Sequence, residues 1–171
     1  IYTEGEIARL IAAAAHLHPR GGLRAATCAT IIGLIAACGL RISEATRLSR
    51  ADVDLEHGRL FIRQTKFGKS RWVPLHATTS QALSRYAQLR DQAIPSAQHN
   101  AFFVFDYGRP ASTPALQYAF QQLRRTLGRA ARGAHPAPRL HDLRHTFVCR
   151  RLEQWYRDGL DLDRHVLALS T

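Results

Sequence analysis

Residues 25–40 run for sixteen positions without a charge. That is short of the ~20 apolar residues needed to cross a bilayer. The rest of the chain has to bury it instead. The segment "LRAATCATIIGLIAAC", residues 23–38, is apolar on most faces and reads as a helix enclosed nearly all round. Gly39 is its C-cap. A chain of 171 residues organised this way is one ordinary domain, or a domain with a small appendage, packed as a shell about that helix.

The shell is mostly helical. Residues 3–18, "TEGEIARLIAAAAHLH", form a helix in which Thr3 and Glu6 stand as a capping box, and Pro19, Gly21 and Gly22 end it. Beyond Arg41, Ser43 caps a short helix that carries Glu44. "ADVDLEHG" is a polar connection. Residues 59–75, "RLFIRQTKFGKSRWVPL", read as a β-hairpin with its turn near Phe67 and Gly68 and with Pro74 at an edge. Residues 77–93 form a helix with Leu83, Tyr86 and Leu89 on one side, stopped by Pro95. A short apolar run at 102–105 precedes a turn. Thr113 then caps a basic amphipathic helix over 114–128, with Pro114 in its first turn. "GRAARGAHPAPR" is a Gly/Pro-rich loop. A further helix runs from 141 to about 156, with Phe147, Leu152 and Trp155 towards the core and Arg150 and Arg151 more outward. Gly159 breaks it, and "DLDRHVLALST" begins another. The predicted class is α+β, mainly α, with one small antiparallel sheet or hairpin.

Charge narrows the partner. The chain holds 24 Lys+Arg against 13 Asp+Glu, a net charge of +11. No acid lies between His57 and Arg90, where Arg59, Arg63, Lys66, Lys69, Arg71 and Arg85 fall, nor between Tyr107 and His141, where Arg109, Arg124, Arg125, Arg129, Arg132 and Arg139 fall. Two such stretches predict a wide positive surface whose natural partner is a polyanion. The alternative is a solvated cationic face without a partner. Of the 24 basic residues only Lys66 and Lys69 are lysine, and both lie at the expected hairpin tip. Lysine gives up a proton where its surroundings lower its pKa, and arginine effectively cannot.

Cys28, Cys38 and Cys149 are odd in number, widely spaced and outside any zinc-ligand spacing. They read as buried free thiols in a reducing compartment. No metal site and no cofactor is expected, and no stretch resembles a signal peptide or a membrane span.

The chemistry concentrates in "RLHDLRHTF", residues 139–147. On a helix, His141 and Arg144 stand three apart on one face. A guanidinium fork matches phosphate oxygens, and imidazole exchanges a proton near neutral pH, so the pair suits phosphoryl chemistry. The alternative is a basic helix face with an ordinary half-buried histidine. Arg41 leaves the buried helix at a corner fixed by core packing, either as a positioned charge or as a cap for the preceding carbonyls.

"GLRISE", "TKFGKSRWVPL" and "HDLRHTF", in that order, resemble the catalytic domain of the tyrosine recombinases, the phage integrase family, over essentially the whole chain. The resemblance implies the DNA breaking-rejoining fold, a helical domain with a small β-sheet. It implies site-specific recombination or integration, in which a tyrosine attacks the scissile phosphate and leaves a 3′-phosphotyrosyl bond and a free 5′-hydroxyl. Carried over, Arg41 is the first arginine, Lys66 the hairpin lysine, His141 the histidine, Arg144 the second arginine, and Glu44 the acidic partner. Two forks then hold the non-bridging oxygens, Lys66 protonates the leaving 5′-oxygen, and His141 accepts or holds the nucleophile's proton. Lys69 competes with Lys66 for the acid. Lys69, Arg71, Arg139 and His145 are expected at the DNA. No metal or cofactor is implied. The partners are double-stranded DNA and further copies of the protein, as a tetramer on DNA, with a cytoplasmic location. The alternatives are a non-catalytic DNA-binding module of the same fold and a type IB topoisomerase-like enzyme.

The family's second His or Trp box and its nucleophile lie downstream of HxxR. Of Tyr2, Tyr86, Tyr107, Tyr118 and Tyr156, only Tyr156 follows Arg144, twelve residues on and too early; it reads as a packing residue. Residues 1–171 are therefore expected to be a catalytic domain incomplete at its C-terminus, without the nucleophile and without the N-terminal DNA-clamping domain.

Overall fold

A computed structural model describes residues 1–19, 22–63, 68–95, 99–128 and 137–161. Helix α1 spans Glu4–Ala14 and α2 spans Leu23–Cys38. In α2, Cys28, Ile31, Ile32 and Ile35 are wholly buried. Against α2 lie α1, the short α3 (Ile42–Thr46), α4 (Ala77–Ala93) and α6 (Asp142–Arg157), while α5 (Thr113–Thr126) packs on α1 and α3. The uncharged run is thus the axis of the domain, as its composition requires.

Gly39 ends α2 in a left-handed conformation at φ +65°, its N–H donating to the Ile35 carbonyl at 2.9 Å. A Cβ at this position would run into the Phe147 ring on α6. The positive φ and the close approach of α6 both select glycine. The capping box of α1 is present: Glu6 N–H donates to Thr3 Oγ1 at 3.2 Å and Thr3 N–H to Glu6 Oε2 at 2.8 Å. The helix stops at Ala14, four residues earlier than its pattern predicts. Tighter turns to Ala13 and Ala14 follow, and they roll Leu17 into the core before Pro19.

Three strands, β1 (Val53–Asp54), β2 (Arg59–Ile62) and β3 (Arg71–Pro74), form one antiparallel sheet in that order. The stretch read as a polar connection therefore hides β1, which at two residues is too short to show alternation. Leu60 and Ile62 face the core, while Phe61 and Trp72 stack on the outer face at 4.8 Å. The pairing Ile62↔Arg71 puts Arg71 on the inner face with Val73.

Other local expectations need correction. Helix α3 starts at Ile42, so Ser43 lies within it and does not cap it; Arg41 is the cap residue. Ser112, not Thr113, caps α5, its Oγ accepting Ala115 N–H at 3.4 Å. Leu89 is 45% exposed, whereas Arg90 is buried and donates to the Phe102 carbonyl at 2.9 Å. On α6 the buried residues are Leu143 and Thr146; Phe147, Leu152 and Trp155 are half-buried, and Tyr156 is 76% exposed and no packing residue. The helix rests on the body through its first turns and leaves the later ones largely in solvent. The helix predicted beyond Asp161 falls on 162–171, outside the described residues.

The positive surface is also narrower than the sequence suggests. Acids from elsewhere meet the first basic stretch: Arg59 pairs with Asp54 at 2.9 Å, Arg63 with Asp52 at 2.5 Å and Arg71 with Glu44 at 3.1 Å. The three thiols are free, Cys28 buried but Cys38 and Cys149 only half-buried. Burial pushes Cys28 and Cys38 up to about 12, so both stay protonated and unreactive at neutral pH. Among the described residues no group of three or more His, Cys, Asp or Glu side chains is arranged to hold a metal, and no helix is long and apolar enough to cross a membrane.

Candidate active site at the corner between α2 and α3

The end of α2 fixes the backbone of the site. Leu40 is buried immediately after Gly39, and Arg41 follows as the N-cap of α3. Three residues on, Glu44 turns back. Its Oε2 accepts the Arg41 backbone N–H at 2.9 Å, and its Oε1 accepts Arg41 Nη1 at 2.8 Å. From β3, Arg71 lays both fork nitrogens on the same carboxylate, at 3.3 and 3.1 Å. The Glu44 side chain is only 6% exposed. Burial alone would push its pKa up, but the hydrogen bonds from Arg71 and Arg41 outweigh it and leave the carboxyl below its usual range. Glu44 is therefore ionised, and four donors share its two oxygens.

Arg144 enters from the opposite side, on α6. Its Nη1 donates to the Gly39 carbonyl, so a cation caps the C-terminal end of α2. Burial, and then the nearby Arg41 charge, pull its pKa down; Glu44 opposes this and Arg71 adds to it. These mutual effects bring Arg41, Arg71 and Arg144 into one electrostatic cluster around a single carboxylate.

One turn earlier, His141 packs edge-on against His145, with ring centroids 4.7 Å apart. Partial burial, then the His145 and Arg144 charges, hold His141 below its ordinary value. The imidazole is thus neutral at neutral pH and has a nitrogen that can accept a proton. A groove of about 420 Å³ runs beside it, lined by Ile42, Gln121, Arg124, Arg139 and His141 among others.

Of the residues singled out in the sequence, Arg41, Glu44 and Arg144 converge, and His141 lies beside Arg144. Arg139 and His145 form a neighbouring group around Asp142: Arg139 N–H donates to its Oδ2 at 2.8 Å, and the Arg139 and His145 side chains each approach Oδ1 at 3.5 Å. Lys69 is exposed near the start of β3, and Lys66 lies outside the described residues. Arg71, expected at the DNA, has its fork on Glu44. The missed signal was register: alternation along β3 puts Arg71 on the same face as Val73, and a guanidinium pointing inward calls for a buried carboxylate.

A cluster of three guanidiniums around one carboxylate keeps excess positive charge in a half-buried site. Beside a neutral imidazole, it is suited to hold an oxyanion with two or more oxygens. The protein y4rE of Sinorhizobium fredii, named as a presumed integrase/recombinase, is 44% identical over the whole of this chain and 54% of its own length. The tyrosine recombinase XerC of Alcanivorax borkumensis is 34% identical over 72% of this chain and 38% of its own. The crystal structure of XerA recombinase superposes with a TM-score of 0.70 at 25% identity, covering 95% of this chain and 53% of that one. The chain spans about half the length of these relatives or less. Residues 2–163 match the phage integrase family, and with the fold and the arginine corner in agreement the chain belongs to that family.

Proposed function

We propose that this chain forms the phosphate-holding part of a site-specific DNA recombinase or integrase that cuts and rejoins DNA through a 3′-phosphotyrosyl intermediate. The observation that carries the reading is the convergence of Arg41 and Arg144 from two different elements, with Glu44 fixing the first and the Gly39 carbonyl the second. Two preorganised forks stabilise the charge that grows on the non-bridging oxygens of an attacked phosphodiester. His141, neutral at rest, accepts or holds the proton of the attacking hydroxyl. Lys66 is the proposed acid for the leaving 5′-oxygen, on its place in the "TKFGKSRWVPL" motif alone. Lys69, Arg139 and His145 are proposed to touch the DNA backbone around the site. The partner is double-stranded DNA, and the assembled state a homotetramer on it, in the cytoplasm.

The nucleophile is proposed to lie outside residues 1–171, supplied in cis or by another protomer. Tyr2 and Tyr86 are 3% exposed, too buried to reach a phosphate, and Tyr156 sits on the outward face of the last turns of α6. A nicked DNA substrate that traps covalent intermediates tests both statements. The full-length protein is expected to form a covalent DNA adduct, and residues 1–171 alone to bind the DNA without forming one. An adduct with residues 1–171 would refute the missing nucleophile. DNA binding without any adduct by the full-length protein would favour a non-catalytic module.

A further inference from the structure

Arg71 opens β3 opposite Ile62, so its side chain enters on the inner face of the sheet, away from Phe61 and Trp72. There its fork closes on Glu44, Nη1 at 3.3 Å from Oε1 and Nη2 at 3.1 Å from Oε2. Arg41 uses the same two oxygens. The Arg71 side chain is 21% exposed and that of Glu44 6%, so solvent screens the pair weakly. The sequence between β2 and β3 carries Lys66 and Lys69, and Arg71 is the first residue of the returning strand.

We propose that Arg71 is a positioning residue, which through Glu44 fixes the guanidinium of Arg41 and ties the base of the β2–β3 hairpin to the arginine corner. The proposal rests on the reading of that corner as the phosphate site. Its physical basis is the count of donors on one buried carboxylate. Arg71 supplies two of the four hydrogen bonds to Glu44, and Arg41 supplies the others. Without Arg71 the carboxylate keeps its burial but loses half its donors, and Arg41 loses the rigidity of its anchor. Among the described residues, the charged groups facing Glu44 are Arg41 at the start of α3, Arg71 on β3 and Arg144 on α6. A residue that merely contacted DNA would present its fork to solvent, whereas this fork meets a carboxylate within the protein.

The test uses the full-length protein with Arg71→Gln and Arg71→Lys. DNA binding and cleavage of the nicked substrate are measured across pH, and the Glu44 carboxyl is followed by carbon NMR. In Arg71→Gln, cleavage is expected to fall by about 10²-fold with DNA binding nearly unchanged, as for a catalytic group shifted slightly out of place. The acid limb of its pH–rate profile is expected to move to higher pH, because Glu44 now protonates more readily. Arg71→Lys keeps the charge without the fork and is expected to recover only part of the rate. Equal losses of binding and cleavage, with a shallower salt dependence of binding, would make Arg71 an ordinary backbone contact and overturn the proposal. So would a Glu44 carboxyl that titrates as in the wild type. If the wild type forms no adduct, the reading of the corner as a phosphate site fails, while the Glu44 titration still decides whether Arg71 holds it. If Arg71→Gln does not fold, Arg71→Lys decides by the same readouts.

Discussion

Helices α2 and α6 are both sixteen residues long, and they are held in opposite ways. Eight residues of α2 are buried, and helices on several sides fix it. Only two residues of α6 are buried, Leu143 and Thr146. Polar ties do much of the rest: Tyr2 N–H donates to Thr146 Oγ1 at 2.8 Å, Arg150 to the Tyr2 carbonyl at 3.0 Å, and Arg144 to the Gly39 carbonyl. Burial sets where the backbone of the corner lies, and charges set what the corner holds. On the proposed reading, the phosphate site lies between these two helices, with the packed end of α2 on one side and a cation held by the Gly39 carbonyl on the other.

This contrast can be broken at its strong end first. Ile35→Ala in α2 removes a wholly buried side chain and should cost about 2–5 kcal/mol, read as a lower urea midpoint with an unchanged slope. A similar loss from Leu152→Ala in α6 would show that the later turns of α6 are packed as tightly as α2, against the contrast.

The meeting point of the two helices comes next. Gly39→Ala puts a Cβ into the Phe147 ring at a positive φ. It should cost about 1–3 kcal/mol by overpacking and strain. DNA cleavage should drop as well, because the strain shifts the residue-39 carbonyl that holds Arg144. An unchanged melting temperature would mean that the contact with Phe147 is not rigid.

Acid probes the carboxylate between the arginines. The folded-state pKa of Glu44 lies below its ordinary value of 4.5, so its contribution to stability is complete above that value and is lost as pH falls through the folded one. The stability difference between wild type and Glu44→Gln should therefore shrink on acidification below 4.5, and a difference independent of pH would contradict the ionised, doubly held carboxylate. The smallest effect belongs to the exposed end of α6. Arg157→Ala removes a 3.9 Å pair with Glu153 and should change stability by less than about 0.5 kcal/mol.

Sequence patterning recovers the frame of the domain because the frame is made by burial. The uncharged run finds α2, the Gly39 cap is correct, and the 77–93 periodicity gives the observed span of α4. The HxxR and GLRISE motifs name Arg41, Glu44 and Arg144, which the fold gathers around one carboxylate, and His141 beside Arg144. Tertiary pairing is what local pattern does not carry. Two-residue β1 has no alternation to detect, and Tyr156 looks like core only while α6 is assumed to be covered along its length. Stretches free of acid in sequence are not free of it in space, since Asp52, Asp54 and Glu44 come back to meet Arg63, Arg59 and Arg71. The inward register of Arg71 was available from the alternation of β3, but its meaning depended on Glu44 being on the other side.

The account stands most directly on Arg144, the guanidinium that α6 brings to the corner. Covalent adduct formation on a nicked substrate and equilibrium DNA binding, measured side by side for the full-length protein and its Arg144→Ala variant, decide it. Loss of one preorganised donor predicts adduct formation slower by about 10²–10³-fold with binding close to wild type. Adduct formed at the wild-type rate, or a fall in adduct no larger than the fall in binding, would contradict a phosphate site at the corner of α2, α3 and α6.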